Sequence, residues 1–282
     1  MIRPPLPLLE RLPYRTRKPD NRPKRVQALT IAVALRCSEG FVLCADTQMS
    51  HGTPEEYGSF AHYDRKVFGT QGRNFAAGLC AAGDGVLIKP FATAFLGRLQ
   101  RREDDEDRER ETNPNYEQEL ADDYARGSRT WAGDNLAALR GELEDTKARI
   151  DHAPDLTMIV GVVGGSGHFQ LLRAEGLMVC PAGPVEILGI GETSLVRFLT
   201  DSLYREDLTM RQAVALGVFV VAAAKKYCPQ YCGWDAHAHK LLVNGHRWEA
   251  VKSETVGWIE EMFDTEGPTH LRKLLDRAAT IR

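Results

Sequence analysis

The stretch Thr30-Ile-Ala-Val-Ala-Leu-Arg-Cys-Ser-Glu-Gly-Phe-Val-Leu-Cys-Ala-Asp46 constrains this chain more than any other. It reads as two apolar strands joined by a tight turn at Ser38-Glu39-Gly40, and after a polar loop a further strand opens at Lys66-Val67-Phe68. A hydroxyl residue stands at the start of the hairpin, a carboxylate at its end and a lysine at the head of the next strand. Together they are the parts of a nucleophile site built on a chain terminus. The threonine hydroxyl attacks, and the base is the α-amine of the same residue once the preceding peptide has been removed. A buried aspartate–lysine pair sets the local charge and orients the hydroxyl. The spacing predicts Lys66 Nζ within contact distance of both the Thr30 side chain and the Asp46 carboxylate. Taken singly, each residue also has an ordinary reading: a strand threonine, an aspartate capping a turn, a lysine on an edge strand.

Strands are expected at 30–37, 41–46, 66–69 and 74–80, then at 156–163 and 168–173, which flank Gly164-Gly165-Ser166-Gly167. That glycine run is a hairpin turn and not a phosphate loop, because no Lys-Ser/Thr follows it. Leu87, Phe91, Phe95 and Leu99 recur at helical spacing, with Pro90 tolerable only in the first turn. A second helix runs from about Asn135 to Ile150, with Leu136, Leu139 and Leu143 on one face. Gly191-Glu-Thr-Ser opens a third through Leu203. Thr209-Met-Arg-Gln212 is a capping box for a fourth, whose Ala213–Ala224 stretch is apolar nearly all round and therefore buried. Helices that arrive in sequential pairs between runs of strands suit antiparallel sheets with helical layers outside, rather than a parallel βαβ sheet.

The segment from Thr30 to Asp46, with its Gly40 turn, its Ala45-Asp46 pair and the later Lys66-Val67, resembles the start of a proteasome-type, 20S α/β subunit-like chain of the N-terminal nucleophile (Ntn) hydrolase superfamily. Phe75-Ala-Ala-Gly-Leu-Cys-Ala-Ala-Gly-Asp84 is similar to that family's strand leading into its first helix, and Leu188-Gly-Ile-Gly-Glu192 to the glycine corner before its third. The resemblance covers roughly residues 30–245. It implies an α+β fold of the four-layer αββα sandwich (Ntn-hydrolase) type, here with extra C-terminal helices. It also implies a threonine-type peptidase with Thr30 as nucleophile, Asp46 and Lys66 tuning and orienting it, and the Cys80 backbone N–H at the oxyanion position. Substrates would be peptides or proteins and the assembly a homo-oligomeric ring. A non-catalytic, assembly-forming subunit that retains its N-terminal arm and an Ntn amidase are the alternatives. Five positions depart from the family's pattern. Leu29 replaces the glycine of self-cleaving members, and Ile190 and Pro229 replace a serine and an aspartate that polarise the threonine. Cys232 stands at the serine position before Gly233, and Cys80 where active members have glycine.

Residues 1–29 hold eight Lys/Arg against two Asp/Glu, and six of the chain's 14 prolines. So many prolines exclude a helix, which makes this an extended arm or propeptide. The expected organisation is the arm (1–29), one domain (30–247) with a charged insertion at about 100–130, and a helical extension (248–282) split at Gly267-Pro268. The arm lacks the apolar core of a secretory signal and no apolar run reaches membrane-span length, so the expectation is a cytoplasmic protein without membrane or nucleic-acid partners. Cys37, Cys44 and Cys80 lie in apolar strand-like segments, as small hydrophobes. Cys228 and Cys232 have no second pair to make a zinc ribbon. No cofactor is expected. Asp235, His237 and His239 alternate along a strand and are weak candidates for a metal site, with a solvent face or subunit contact the commoner meaning of such a row.

Overall fold

The computed structural model describes residues 30–50, 61–116, 118, 119, 121, 122, 130–164, 168–189, 194–229 and 232–278. The N-terminal arm with Leu29, the tip of the 164–167 turn, Ile190 and the Gly191-Glu-Thr opening of the third helix lie outside the described residues.

The opening hairpin forms as its apolar runs require: β1 (Ala32–Cys37) pairs antiparallel with β2 (Gly40–Asp46), Ala32 opposite Ala45 and Cys37 opposite Gly40. Gly40 has φ +145°, and a Cβ there would stand 2.0 Å from the Leu241 carbonyl oxygen, so only glycine fits this turn. β2 pairs on its other side with β11 (Ala236–Leu242), and β11 with β12 (Arg247–Ala250). β10 (Val185–Leu188) closes the opposite edge against β1, giving the order β10-β1-β2-β11-β12. A second antiparallel sheet has the order β5-β6-β7-β8-β9, built from Val67–Gln71, Phe75–Gly83, Leu156–Gly164, Phe169–Glu175 and Met178–Pro181. β3 (Gln48–Ser50) and β4 (Ala61–Tyr63) form a short ribbon.

Alternation along β1 and β2 sorts their side chains between two apolar clusters. Val33, Leu35, Val42 and Cys44 pack against α4 (Met210–Tyr227), while Ala32, Ala34, Phe41, Leu43 and Ala45 meet Val67, Cys80, Ile159 and Leu171 of the second sheet. α4 begins at the expected capping box, Thr209 with Gln212, and buries Val218, Val220 and Val221. Each such side chain contributes on the order of 1.5–3 kcal/mol by leaving water. The other face of the second sheet is covered by α1 (Gly85–Thr112) and α2 (Trp131–Ile150), through Phe91, Phe95, Leu99, Leu139 and Leu143. α3 (Ser194–Leu203) and α5 (Ser253–Ala278) lie against α4.

The expected four-layer αββα sandwich with extra C-terminal helices is corrected to an α+β fold of two five-stranded antiparallel sheets, a two-stranded ribbon and, among the described residues, five helices. The C-terminal segment is not an appendage. Val256 and Ile259 of α5 are buried in the same cluster as α4, Phe263 packs edge-on against Phe219 at 4.5 Å, and Lys225 and Lys226 bind Glu260 (2.6 Å) and Asp264 (2.9 Å). Trp248, expected at the start of a helical extension, lies in β12, and one helix runs through Gly267-Pro268 without a split. Pro90 falls in the second turn of α1, beyond the first turn expected for it. The charge run at Arg101–Thr112 continues α1. Glu103 within it is buried and accepts the backbone N–H groups of Arg73 (3.0 Å) and Asn74 (2.5 Å), fixing the turn between β5 and β6. No helix among the described residues is long and apolar enough to cross a membrane.

Candidate active site

Thr30 lies two residues before β1, Asp46 ends β2, and Lys66 immediately precedes β5 of the second sheet. Because β1 and β2 run antiparallel, the start of one lies beside the end of the other, and Thr30 comes to Asp46 across 16 residues of sequence. The Thr30 hydroxyl donates to Asp46 Oδ1 at 2.5 Å. Lys66 Nζ donates to that same Oδ1 at 2.8 Å, to Thr30 Oγ1 and to the Gln48 carbonyl oxygen. All three side chains are sealed from solvent, none more than 2% exposed.

The Asp46 carboxylate is held from further directions. The Ile31 N–H donates to Oδ1 at 3.1 Å and the Gly233 N–H to Oδ2 at 3.2 Å. A buried carboxylate with these donors and an ammonium neighbour is a satisfied anion, and the lysine is its counter-ion. Burial pulls the Lys66 amine below the usual lysine range, and the Asp46 charge opposes that shift. The arrangement presents a threonine oxygen with a cation on one side and a carboxylate acceptor on the other, which is the environment a hydroxyl nucleophile needs.

Two glycines let the chain close around this group. Gly189, at φ +90°, packs so tightly that a Cβ would stand 2.2 Å from the Thr30 carbonyl oxygen. Gly233 presses on Gln48, where a Cβ would come within 2.2 Å of Oε1. Gln48, Gly189 and Gly233 have no place in the sequence-derived set of site residues. Gly189 was visible there only within the glycine corner of the family pattern and Gly233 only as the neighbour of Cys232, and the Gln48 contribution is a backbone carbonyl, which side-chain chemistry cannot reveal.

Cys80 is buried in β6 opposite Val67 and Ile159. Ala81 N–H donates to the Lys66 carbonyl on the β5 side (3.2 Å), and Asp84 N–H to Asp155 on the β7 side (2.8 Å). By the alternation of an antiparallel strand the Cys80 N–H therefore points to β7, across from Ile159, within the sheet ladder. Burial raises the Cys80 thiol to about 12, so it is protonated near neutral pH. Cys232 is also buried, and desolvation, aided by the Asp46 charge and opposed by Lys66, raises its thiol as well. Pro229 follows the end of α4 in the loop that leads to Cys232 and Gly233.

Asp235, His237 and His239 are not gathered into a cluster, and among the described residues no group of three or more His, Cys, Asp or Glu could hold a metal ion. The Asp235 backbone pairs with Thr47, and its N–H reaches Thr47 Oγ1 at 3.1 Å. His237 and His239 lie on β11 opposite Ala45 and Leu43. His239 stacks face to face on Trp248 at 4.6 Å, and burial, with the charges of Arg65 and His237 adding to it, holds its imidazole at about 4. The His237 imidazole is lowered too, again first by burial.

No protein-family model matches this sequence, and no curated protein does. Solved structures match over nearly the whole chain. Anbu from Hyphomicrobium sp. strain MC1 superposes with a TM-score of 0.64 at 14% identity, covering 90% of this chain and 98% of its own. Anbu from Yersinia bercovieri, described as an ancestral beta-subunit, gives 0.63 at 12% identity over 90% and 98%. A helical assembly of the Anbu complex from Pseudomonas aeruginosa gives 0.63 at 14% identity over 88% and 96%. The sequence resemblance to 20S α/β-type subunits of the Ntn superfamily is corrected accordingly: the shared fold is that of Anbu.

Proposed function

We propose that this chain is a proteasome-like subunit that hydrolyses peptide bonds through Thr30, freed as an N-terminal residue by removal of residues 1–29. The observation that carries the reading is the contact of one threonine oxygen with both members of a buried ion pair, Asp46 Oδ1 at 2.5 Å and Lys66 Nζ. The freed α-amine takes the hydroxyl proton as Oγ1 attacks the substrate carbonyl. The ammonium then returns that proton to the leaving amine as the C–N bond breaks, which leaves an ester on Thr30. Water, deprotonated by the same amine, cleaves the ester and releases the carboxylic acid. Lys66 keeps a positive charge beside Oγ1 throughout, favouring the alkoxide-like transition state. Asp46 holds the lysine and the threonine in register.

The Anbu structures include a helical assembly, which supports a homo-oligomer for this chain as well. The burial of Thr30 within the uncut chain, at 2% exposure, favours one second reading: an assembly-forming subunit that keeps its arm and does no chemistry.

A chain beginning Met-Thr30, from which an aminopeptidase removes the methionine, is compared with the full-length chain on a panel of fluorogenic peptides. The trimmed chain is expected to be the more active and to react with a β-lactone probe, and Thr30→Ala to abolish both. Intact mass establishes which chains carry a free Thr30. A trimmed, assembled chain inert to the panel and to the probe gives way to the second reading.

A further inference from the structure

Trp234 lies between Gly233 and Asp235, and its backbone is left-handed, with φ +57°. A Cβ is strained there, and glycine or asparagine is the usual occupant. The conformation is clamped from both sides by one short run of chain. Gly233 N–H donates to Asp46 Oδ2 at 3.2 Å. Asp235 N–H donates to Thr47 Oγ1 at 3.1 Å, and the Thr47 N–H and hydroxyl both donate to the Asp235 carbonyl at 3.0 Å. Gln48, whose carbonyl holds Lys66, packs against Gly233. The segment that aligns Thr30 thus also dictates where Trp234 stands. Neighbouring Cα atoms are about 3.8 Å apart, so this indole is anchored one residue from a direct bond to the Asp46 carboxylate.

Its environment differs from that of the groups beneath it. Thr30, Asp46 and Lys66 are at most 2% exposed, whereas Trp234 is 43% exposed. A large, partly exposed ring on a clamped, strained backbone next to Gly233, which binds the Asp46 carboxylate, is pre-organised, with little backbone freedom left to lose on binding.

We propose that Trp234 is a specificity-determining residue whose indole forms one wall of the cleft leading to Thr30, and that it takes an apolar or aromatic side chain of an extended peptide next to the scissile bond. The inference rests on the hydrolase reading above for its reaction, and on geometry alone for the contact.

The test uses the assembled, trimmed chain and its W234A and W234F variants on peptides that differ only in the residue whose carbonyl is attacked. For Phe and Leu peptides W234A is expected to raise KM about tenfold with kcat within about twofold, while Ala and Gly peptides change little. W234F is expected to restore most of the loss. A uniform loss across the panel, a loss in kcat alone, or dissociation of W234A in sedimentation velocity overturns the proposal, the last because Trp234 would then be a subunit contact. If the trimmed chain cleaves nothing, the hydrolase reading fails separately, and the contact is read by binding. An N-acetylated, amidated Phe-containing peptide is titrated into the Thr30→Ala chain while tryptophan emission is followed. A saturable change that is lost in both W234F and W234A, which lack the reporting indole, supports the wall. No change, or the same change in W234A, overturns it.

Discussion

Lys66 has three ammonium protons and three acceptors, Thr30 Oγ1, Asp46 Oδ1 and the Gln48 carbonyl, in a place only 1% exposed. Replacing it by methionine keeps the stem and removes the charge, leaving the Asp46 carboxylate buried without its counter-ion. Lys66→Met is expected to lower stability by about 3–5 kcal/mol in urea unfolding, and the Lys66→Met, Asp46→Asn double variant by clearly less than the sum of the two single changes. His239 contributes a pH dependence. Its imidazole is held at about 4 in the fold against 6.5 unfolded, so between those values the unfolded chain binds a proton that the folded chain does not. Stability therefore rises with pH across this window, by about 3 kcal/mol from pH 4 to 6.5. Urea titrations at half-unit steps should show that slope, and His239→Phe, which keeps a ring against Trp248, should flatten it.

At the scale of elements, β12 is seated by a single ring. A Cβ added at Gly69 or at Gly78 would come within 2.1 Å of the Trp248 indole, which lies over both glycines while His239 covers its other face. Gly78→Ala is expected to cost about 1–3 kcal/mol, because the ring is held between two sheets and cannot step aside. Trp248→Leu in the Gly78→Ala background should cost measurably less than in the wild type, both read by thermal unfolding. This contact also shows why β12 was not legible in the sequence. Arg247–Ala250 is four residues long, too short for period two to register, and Trp248 beside Trp258 and Met262 reads as part of a helix. The same holds for β9 and β10, four residues each. The hairpin of β1 and β2, the long strands β6 and β7 and the capping box of α4 were legible, because each carries a run of apolar residues or a paired cap long enough to exclude the alternatives. Of the candidate site, side chains could be read from their spacing. What remained hidden was supplied by backbone: the Gln48 carbonyl, the Gly233 N–H and the direction of the Cys80 N–H, which depends on ladder parity rather than on residue type.

For the whole molecule, large apolar side chains remain uncovered on the helices outside the first sheet: Phe198 (67% exposed) and Leu203 on α3, and Trp258 (60%) on α5. With the proposal of a homo-oligomer, these residues lead to the expectation that the chain sediments as a species larger than a dimer at micromolar concentration. A monodisperse monomer in analytical ultracentrifugation would count against it. Lys66 has a further meaning at this scale. Thr30 leads into the first sheet, Asp46 belongs to it and Lys66 leads into the second, so the nucleophile draws its positive charge from across the gap between them. The small side chains that fill that gap, Ala32, Ala45, Ala76 and Ala82 among them, act as shims setting the height at which the ammonium meets the hydroxyl. A methyl group too many between the sheets is thereby an electrical fault as well as a steric one, and the threonine works as a gauge of how the two halves of the molecule are seated.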